Sequence, residues 1–174
     1  MMSRSLTANP IHSDLTRPLS VLAIGYGNDL RSDDGLGQRV AERVASWQLP
    51  QVRSLAVHQL TPELAEPLSE ADVAIFIDAY PATETQQVQV VKLDCPHTLS
   101  GVGASTLDHS SDPRSLLTLA EALYGHAPQA WFVAIPATNF EFGESFSPTA
   151  QRAMGDALTQ IDRLIRTPAS QTVA

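Results

Sequence analysis

Apolar residues along the chain fall into two patterns, short continuous runs and runs with helical spacing. Continuous apolar runs occur at Leu19–Gly25, Val73–Ile77 and Trp131–Ile135, and they predict strands that are buried on both faces. Apolar and polar residues alternate in Arg53–Gln59 and Gln87–Leu93, which predicts two further strands. The second of these is the more polar, so we expect it at an edge of the sheet.

Between these strands, apolar residues recur every three or four positions. This spacing predicts helices at about Asp34–Trp47, Thr61–Ala71 and Asp112–Gly125, and a last helix that begins at Ser147-Pro148. Strands that alternate with helices favour right-handed crossovers and a largely parallel sheet. The predicted fold class is therefore α/β: a single domain with three layers, α/β/α, in which helices flank a twisted, mostly parallel β-sheet.

The composition fits one folded domain with a sizeable core. The chain has 174 residues, of which 43% are hydrophobic and 17% are charged. The formal net charge is −8 with only 11 Lys and Arg residues, and these form no basic stripe. A nucleic-acid partner is therefore not expected.

The ends of the chain are polar. We expect a flexible arm at residues 1–18, a domain at residues 19–166 and a flexible tail at residues 167–174. The arm has no apolar core of signal-peptide length, and no run approaches the roughly 20 apolar residues of a membrane span. Cys95 is the single cysteine, which suits a reducing compartment. These features predict a cytoplasmic protein without a membrane partner, with a monomer as the simplest state.

Three polar residues are placed where such a fold binds its ligands, outside the carboxyl ends of the strands. Asp34 follows the first strand, Asp78 ends a later one and His109 lies in a loop before a helix. Two carboxylates and an imidazole suit a divalent ion such as nickel, zinc or cadmium. Taken singly, each residue has a commoner structural role, because Asp often caps helices and turns and a loop His is usually solvated.

Other chemistries have weaker support. The loop GYGNDL has Leu30 where a dinucleotide loop has its third glycine, and the acidic pair that follows would repel a pyrophosphate. The chain has no nucleophile elbow and no H-E-x-x-H zinc motif. Cys95 and His97 are two residues apart, a spacing that rarely aligns a thiol and an imidazole for proton transfer.

Five segments form an ordered set of motifs between about residues 20 and 165. They are GYGNDLRSDDGLG at Gly25–Gly37, HQLTPELAEPL at His58–Leu68, IFIDA at Ile75–Ala79, the His-containing loop at His109–Leu117 and GESFSP at Gly143–Pro148. In this order they resemble the [NiFe] hydrogenase maturation proteases. The HQLTPELAE segment is most similar to the branch that serves soluble bidirectional, NAD(P)-linked hydrogenases.

The resemblance implies an endopeptidase. Members of the family remove a short C-terminal extension from the precursor of the hydrogenase large subunit after nickel insertion. Their metal-binding residues fall here on Asp34, Asp78 and His109, which are the predicted catalytic and metal-binding residues. His58 and His97 are alternatives for the third position, but His58 lies in a strand pattern and His97 close to an edge. The resemblance also implies that nickel is carried by the precursor, although zinc or cadmium would fit the same residues.

A supporting loop surrounds the first carboxylate. We expect its first two glycines to allow a tight turn and its asparagine to bridge backbone groups. We expect its aspartate to brace the loop, and its last glycine to leave room for a substrate backbone. These residues are Gly25, Gly27, Asn28, Asp33 and Gly35.

Two functions compete with the endopeptidase. The first is a nickel-sensing chaperone or binding module that docks on the immature large subunit without cutting it. The second is a nucleotide-binding α/β domain, which the missing third glycine disfavours.

Overall fold

A computed structural model describes residues 18–83, 86–94 and 112–166. Its strands form one five-stranded sheet in the order β2-β1-β3-β5-β4. Parallel pairing joins β1 to β2, β1 to β3 and β3 to β5, whereas β4 pairs with β5 in the antiparallel direction. The predicted mostly parallel sheet and its edge strand are confirmed. The strands are Val21–Tyr26 (β1), Val52–Val57 (β2), Val73–Pro81 (β3), Gln89–Leu93 (β4) and Gln129–Ala137 (β5).

The described residues contain four α-helices, which lie at the predicted places. The first two are shorter than predicted, because each begins with a 3-10 turn, at Ser32–Gly35 and at Pro62–Leu64. Gly125 ends α3 in the left-handed region, at φ 72°, as its position in the sequence predicted. The helices are Leu36–Ala45 (α1), Ala65–Ser69 (α2), Pro113–Tyr124 (α3) and Pro148–Arg166 (α4).

The sheet separates two apolar cores, which confirms the three-layer α/β/α architecture. On one face, α1 and α4 pack against the sheet, and Ile75 and Ile77 of β3 point into this core. On the other face, α2 and α3 contact the alternate residues of β3, Ala74 and Phe76. Among the described residues, no helix is both long and apolar enough to cross a bilayer.

The chain changes direction at β1. It leaves β1 through α1 to reach β2, and it returns from β2 through α2, on the other face of the sheet, to reach β3. In open α/β sheets, the point where the strand order reverses leaves a crevice outside the carboxyl ends of the strands. Here that crevice lies between the ends of β1 and β3.

The predicted end of β3 at Ile77 is wrong, because this strand continues to Pro81. On one side, β1 pairs with β3 only as far as Ile77. On the other side, β5 goes on pairing from Asp78 to Pro81. Asp78 is therefore an interior residue of β3 that lies level with Tyr26, just past the last pair that β1 and β3 form, and it faces the crevice for that reason.

Candidate active site

The loop after β1 folds back on itself and holds Asp34 at the crevice. Gly27 has φ 135°, and a Cβ there would collide with the carbonyl oxygen of Asp34, so only glycine fits. The Asn28 N–H donates to Oδ2 of Asp34 at 3.1 Å, and the Asn28 Oδ1 accepts from the Leu30 N–H at 3.0 Å. The Asn28 side chain thus contacts the backbone at Leu30, and its own N–H holds the Asp34 carboxylate. Asp34 itself is half-buried and lies in the 3-10 turn before α1.

Glycines also bring the start of α1 into contact with the sheet. A Cβ on Gly37 would meet the carbonyl oxygens of Tyr26 and Ile77, so the first turn of α1 lies directly over the gap between β1 and β3. A Cβ on Gly25 would in turn collide with the Gly37 carbonyl. Gly35 has a different neighbour from the one we expected, since its missing Cβ would lie 2.8 Å from Cα of Asp29. The space that a Gly35 side chain would fill is therefore taken by the backbone of the same loop, at Asp29.

Asp33 is fully buried and ties this loop to the connection between β5 and α4. Its Oδ2 accepts hydrogen bonds from the N–H groups of Thr138 and Asn139, both at 2.9 Å, and from the Ser147 hydroxyl at 2.7 Å. Its Oδ1 accepts from the Ser147 N–H at 2.7 Å. Burial alone would raise the pKa of Asp33, but the hydrogen bonds from Ser147, Thr138 and Asn139 outweigh burial and hold this pKa below its usual value. Asp33 braces the loop while Asp34 stays available at the crevice.

Asp78 is the second carboxylate at the crevice, and its protonation is unusual. Burial raises its pKa to about 7, and this rise prevails although the Ala79 N–H donates to Oδ1 at 2.8 Å. The negative charge of Asp34 contributes to the increase, which shows that the two carboxylates are close enough to repel each other. The Tyr26 hydroxyl makes a hydrogen bond with Asp78, and this bond lowers the Asp78 pKa. Near neutral pH, Asp78 exchanges its proton easily.

Tyr26 and Asp112 also belong to this end of the molecule, although sequence reasoning missed both. Burial raises the pKa of Tyr26, and the charges of Asp78 and Asp112 raise it further. Asp112 is the residue before α3, so the start of this helix faces the crevice. The sequence signal for Tyr26 was its position between the two glycines of G-Y-G, at the end of a buried strand.

Of the three candidate histidines, the structure describes only His58. His109 and His97 lie outside the described residues, as does Cys95. His58 does not lie inside a strand, because β2 ends at Val57. Its side chain is exposed, and its carbonyl accepts from the Gly27 N–H at 3.3 Å, beside the loop that carries Asp34.

The chemistry of the two carboxylates fits a divalent cation. Asp34 and Asp78 supply oxygen donors that repel each other, and a cation between them would remove this repulsion. Within residues 18–83, 86–94 and 112–166, no group of three or more His, Cys, Asp and Glu side chains is arranged to hold a metal.

Comparisons with known proteins bear on the fold that carries this crevice. Neither protein-family models nor curated protein sequences gave a match to the chain. Among solved structures, it is similar to the [NiFe] hydrogenase maturation protease HybD from Thermococcus kodakarensis, with 19% identity, a TM-score of 0.63, and coverage of 85% of this chain and 100% of that chain. It is also similar to the hydrogenase maturating endopeptidase HybD from E. coli, with 20% identity, a TM-score of 0.66, and coverage of 85% and 93%. A hydrogenase 2 maturation peptidase from Thaumarchaeota archaeon SCGC_AB-539-E09 gives 22% identity, a TM-score of 0.61, and coverage of 84% and 98%.

The chain has the hydrogenase maturation protease fold. The fold that the motif resemblance implied is therefore confirmed, over almost the full length of the compared proteins. The branch that serves NAD(P)-linked hydrogenases stays a prediction.

Within this hydrogenase maturation protease fold, the half-buried Asp78 and the fully buried Asp33 should affect stability in opposite ways. For metal-free protein at pH 8, we expect Asp78→Asn to raise the free energy of unfolding by about 2–4 kcal/mol. The folded-state pKa of Asp78 is raised, so ionisation costs stability progressively as pH rises from about 4 to 7. The gain from Asp78→Asn should therefore vanish near pH 4. Urea unfolding at a series of pH values, after removal of metal with a chelator, measures this difference.

Asp33→Asn is the matched comparison. The lowered pKa of Asp33 means that its carboxylate stabilises the fold above its unfolded pKa and loses this effect as pH falls. Asp33→Asn should therefore destabilise the protein at pH 8 and do so less at low pH. An Asp78→Asn protein that shows no gain in stability at pH 8 would contradict the assignment of a raised Asp78 pKa.

Proposed function

We propose that this protein is an endopeptidase that removes the C-terminal extension of a [NiFe] hydrogenase large-subunit precursor after nickel insertion. The observation that carries the proposal is the pair Asp34 and Asp78, which face one crevice at the strand reversal of a maturation protease fold. The similar solved proteins are named as maturation proteases and endopeptidases of hydrogenases. We also propose a cytoplasmic location, in line with the single cysteine.

Nickel enters this proposal as part of the precursor. Asp34 and Asp78 would contact the ion, and the family resemblance adds His109 as the third ligand. Zinc or cadmium would fit the same donors. A divalent ion held by these residues would polarise the scissile carbonyl or the attacking water.

The two carboxylates have different environments, which favour different roles. The Asn28 N–H fixes the Asp34 carboxylate at 3.1 Å, and this suits a ligand with a constant orientation. In the absence of an ion, burial raises the pKa of Asp78 to about 7, so this carboxylate takes up a proton more readily than an ordinary aspartate does, as a general base must. A carboxylate can contact an ion through one oxygen and take a proton on the other. We therefore assign to Asp78 the transfer of a proton from water to the leaving amine.

Direct incubation tests the function. Purified protein mixed with nickel-loaded precursor should produce one loss of mass at the precursor's C-terminus, seen by intact-protein mass spectrometry. A precursor that binds the protein yet keeps its full mass would contradict the endopeptidase and support the nickel-sensing chaperone. Binding of NAD or ATP by the pure protein, with no effect on the precursor, would instead support the nucleotide-binding domain.

A further inference from the structure

An apolar surface lies beside the crevice, on the face of the sheet that α1 and α4 cover. It consists of Leu30, Phe142 and Phe146, and we call it the Phe142 surface. The side chain of Phe142 is 87% exposed and that of Leu30 is 53% exposed. Leu30 and Phe146 also line a cavity of about 270 Å³ that reaches the first turns of α1. Phe142 does not line this cavity, but its neighbour Gly143 is hydrogen-bonded to Leu30, which places Phe142 beside it. Exposed apolar side chains that lie near one another are typical of interaction sites.

The backbone under the Phe142 surface is fixed. Gly143, the neighbour of Phe142, donates its N–H to the Leu30 carbonyl at 3.0 Å and accepts from the Ser32 N–H at 2.7 Å. The Ser32 hydroxyl donates to the Glu141 carbonyl at 3.0 Å. Together with the four hydrogen bonds to Asp33, these contacts join the two loops into one unit. Because these loops are already ordered, binding of a partner here would cost them little conformational entropy.

The surroundings of the Phe142 surface are acidic. Asp29, Glu42 and Glu144 line the cavity, and the backbone of Glu141 lies next to Ser32. Arg39 also lines the cavity, but it forms an ion pair with Glu42 at 3.1 Å. Arg31 is the second cation nearby, so the region keeps a surplus of carboxylates in a chain whose net charge is −8. The complementary partner is a basic segment that also carries an apolar side chain.

The Phe142 surface is also close to the proposed chemistry. Leu30 and Asp34 belong to the same loop, which begins at the end of β1. Leu30 is joined in turn to Gly143, so a segment bound at the Phe142 surface also contacts the loop that carries Asp34.

We propose that the Phe142 surface docks a basic segment of the large-subunit precursor, with an apolar side chain of that segment against Phe142 and a Lys or Arg at the acidic cavity. This inference rests on the proposed function for the identity of the partner. Exposed aromatic side chains often dominate the energy of such contacts, whereas the charges chiefly set the rate and specificity of association.

The test compares paired variants. Phe142→Ser and Glu144→Lys change the surface, and Leu123→Ser and Glu121→Lys are the matched controls on α3. Leu123 is 63% exposed and lies near the C-terminal end of α3, whereas the start of that helix faces the crevice. The dissociation constant for purified precursor is measured by biolayer interferometry at low and high salt, and KM and kcat are measured by the cleavage assay.

We expect Phe142→Ser to weaken precursor binding about tenfold or more, since buried aromatic anchors commonly have effects of this size. Glu144→Lys should weaken binding strongly at low salt and less at high salt, because salt screens exposed charges. For both variants KM should rise while kcat stays within about twofold of the wild-type value, and both controls should match the wild type.

The outcomes separate the docking surface from the proposed function. If the wild type cleaves the precursor and the surface variants behave like the controls, the docking surface is wrong and the endopeptidase stands. If the wild type binds without cleavage and the surface variants lose binding, the endopeptidase is wrong and the docking surface stands. No binding by the wild type overturns both. Sedimentation that shows self-association, lost in Phe142→Ser with precursor binding unchanged, would assign the surface to a second copy and overturn the proposal.

Discussion

Replacement of Asp34 or Asp78 by Asn is expected to lower the rate of precursor cleavage by about a thousandfold or more. The loss follows from the two roles of the pair, since each variant removes an anionic oxygen from the crevice and Asp78→Asn also removes the base. An effect of several kcal/mol on the transition state corresponds to a rate change of this size. Neither side chain is a core residue, because both are only half-buried, so both variants should still unfold cooperatively.

Single-turnover cleavage of nickel-loaded precursor, followed by mass spectrometry, measures this loss, and thermal unfolding confirms the fold of each variant. His109→Ala should behave like the two Asn variants if the resemblance assigns the third ligand correctly. Normal cleavage by His109→Ala would remove this residue from the site and favour His58 or His97. Cys95→Ala is the control and should cleave normally; its inactivity in a folded protein would indicate a thiol nucleophile instead.

Metal-free precursor is expected to remain uncut under conditions in which nickel-loaded precursor is cut once. The candidate ligands Asp34 and Asp78 come from two separate elements, the turn before α1 and the strand β3. Affinity for a free ion should therefore be modest. An ion already held by the precursor would complete the site only in the correct complex, so that specificity comes from assembly of the site.

The measurement compares precursor with and without nickel, each with a chelator control, and includes casein as a general protein substrate. Casein should stay intact in every sample. Efficient cleavage of the metal-free precursor would contradict the nickel requirement and would favour a peptidase that relies on its carboxylates alone.

The sequence predicted most of the fold because residues with strong local preferences mark where several of its elements begin and end. Gly125 ends α3, and Ser147-Pro148 begins α4, as residues of these types commonly do. The end of β3 had no such signal. It depends on β5, which supplies pairing partners for Asp78 to Pro81 after β1 has ended. The length of a strand is in this case a property of its neighbours.

The candidate site was predictable only in part, because local sequence signals marked some of its residues and not others. The motif placed Asp34 and Asp78 at the carboxyl edge of the sheet, but the alternation of residues around His58 suggested a strand that in fact ends at Val57. The position of Tyr26 between two glycines marked the residue but not its role, because its relation to Asp78 and Asp112 exists only after β3 and α3 have packed around it. Raised pKa values are likewise a consequence of packing.

The four hydrogen bonds to Asp33 have a consequence for the order of events during synthesis of the chain. The donors on Thr138, Asn139 and Ser147 lie 105, 106 and 114 residues after Asp33. Contacts so distant in sequence form late in folding, because the intervening chain must first be brought together. On a ribosome, β1, α1 and β2 emerge long before those donors exist. The loop that carries Asp34 therefore acquires its final geometry only after nearly the whole chain has been translated, so an incomplete nascent chain has no finished site with which to attack other proteins.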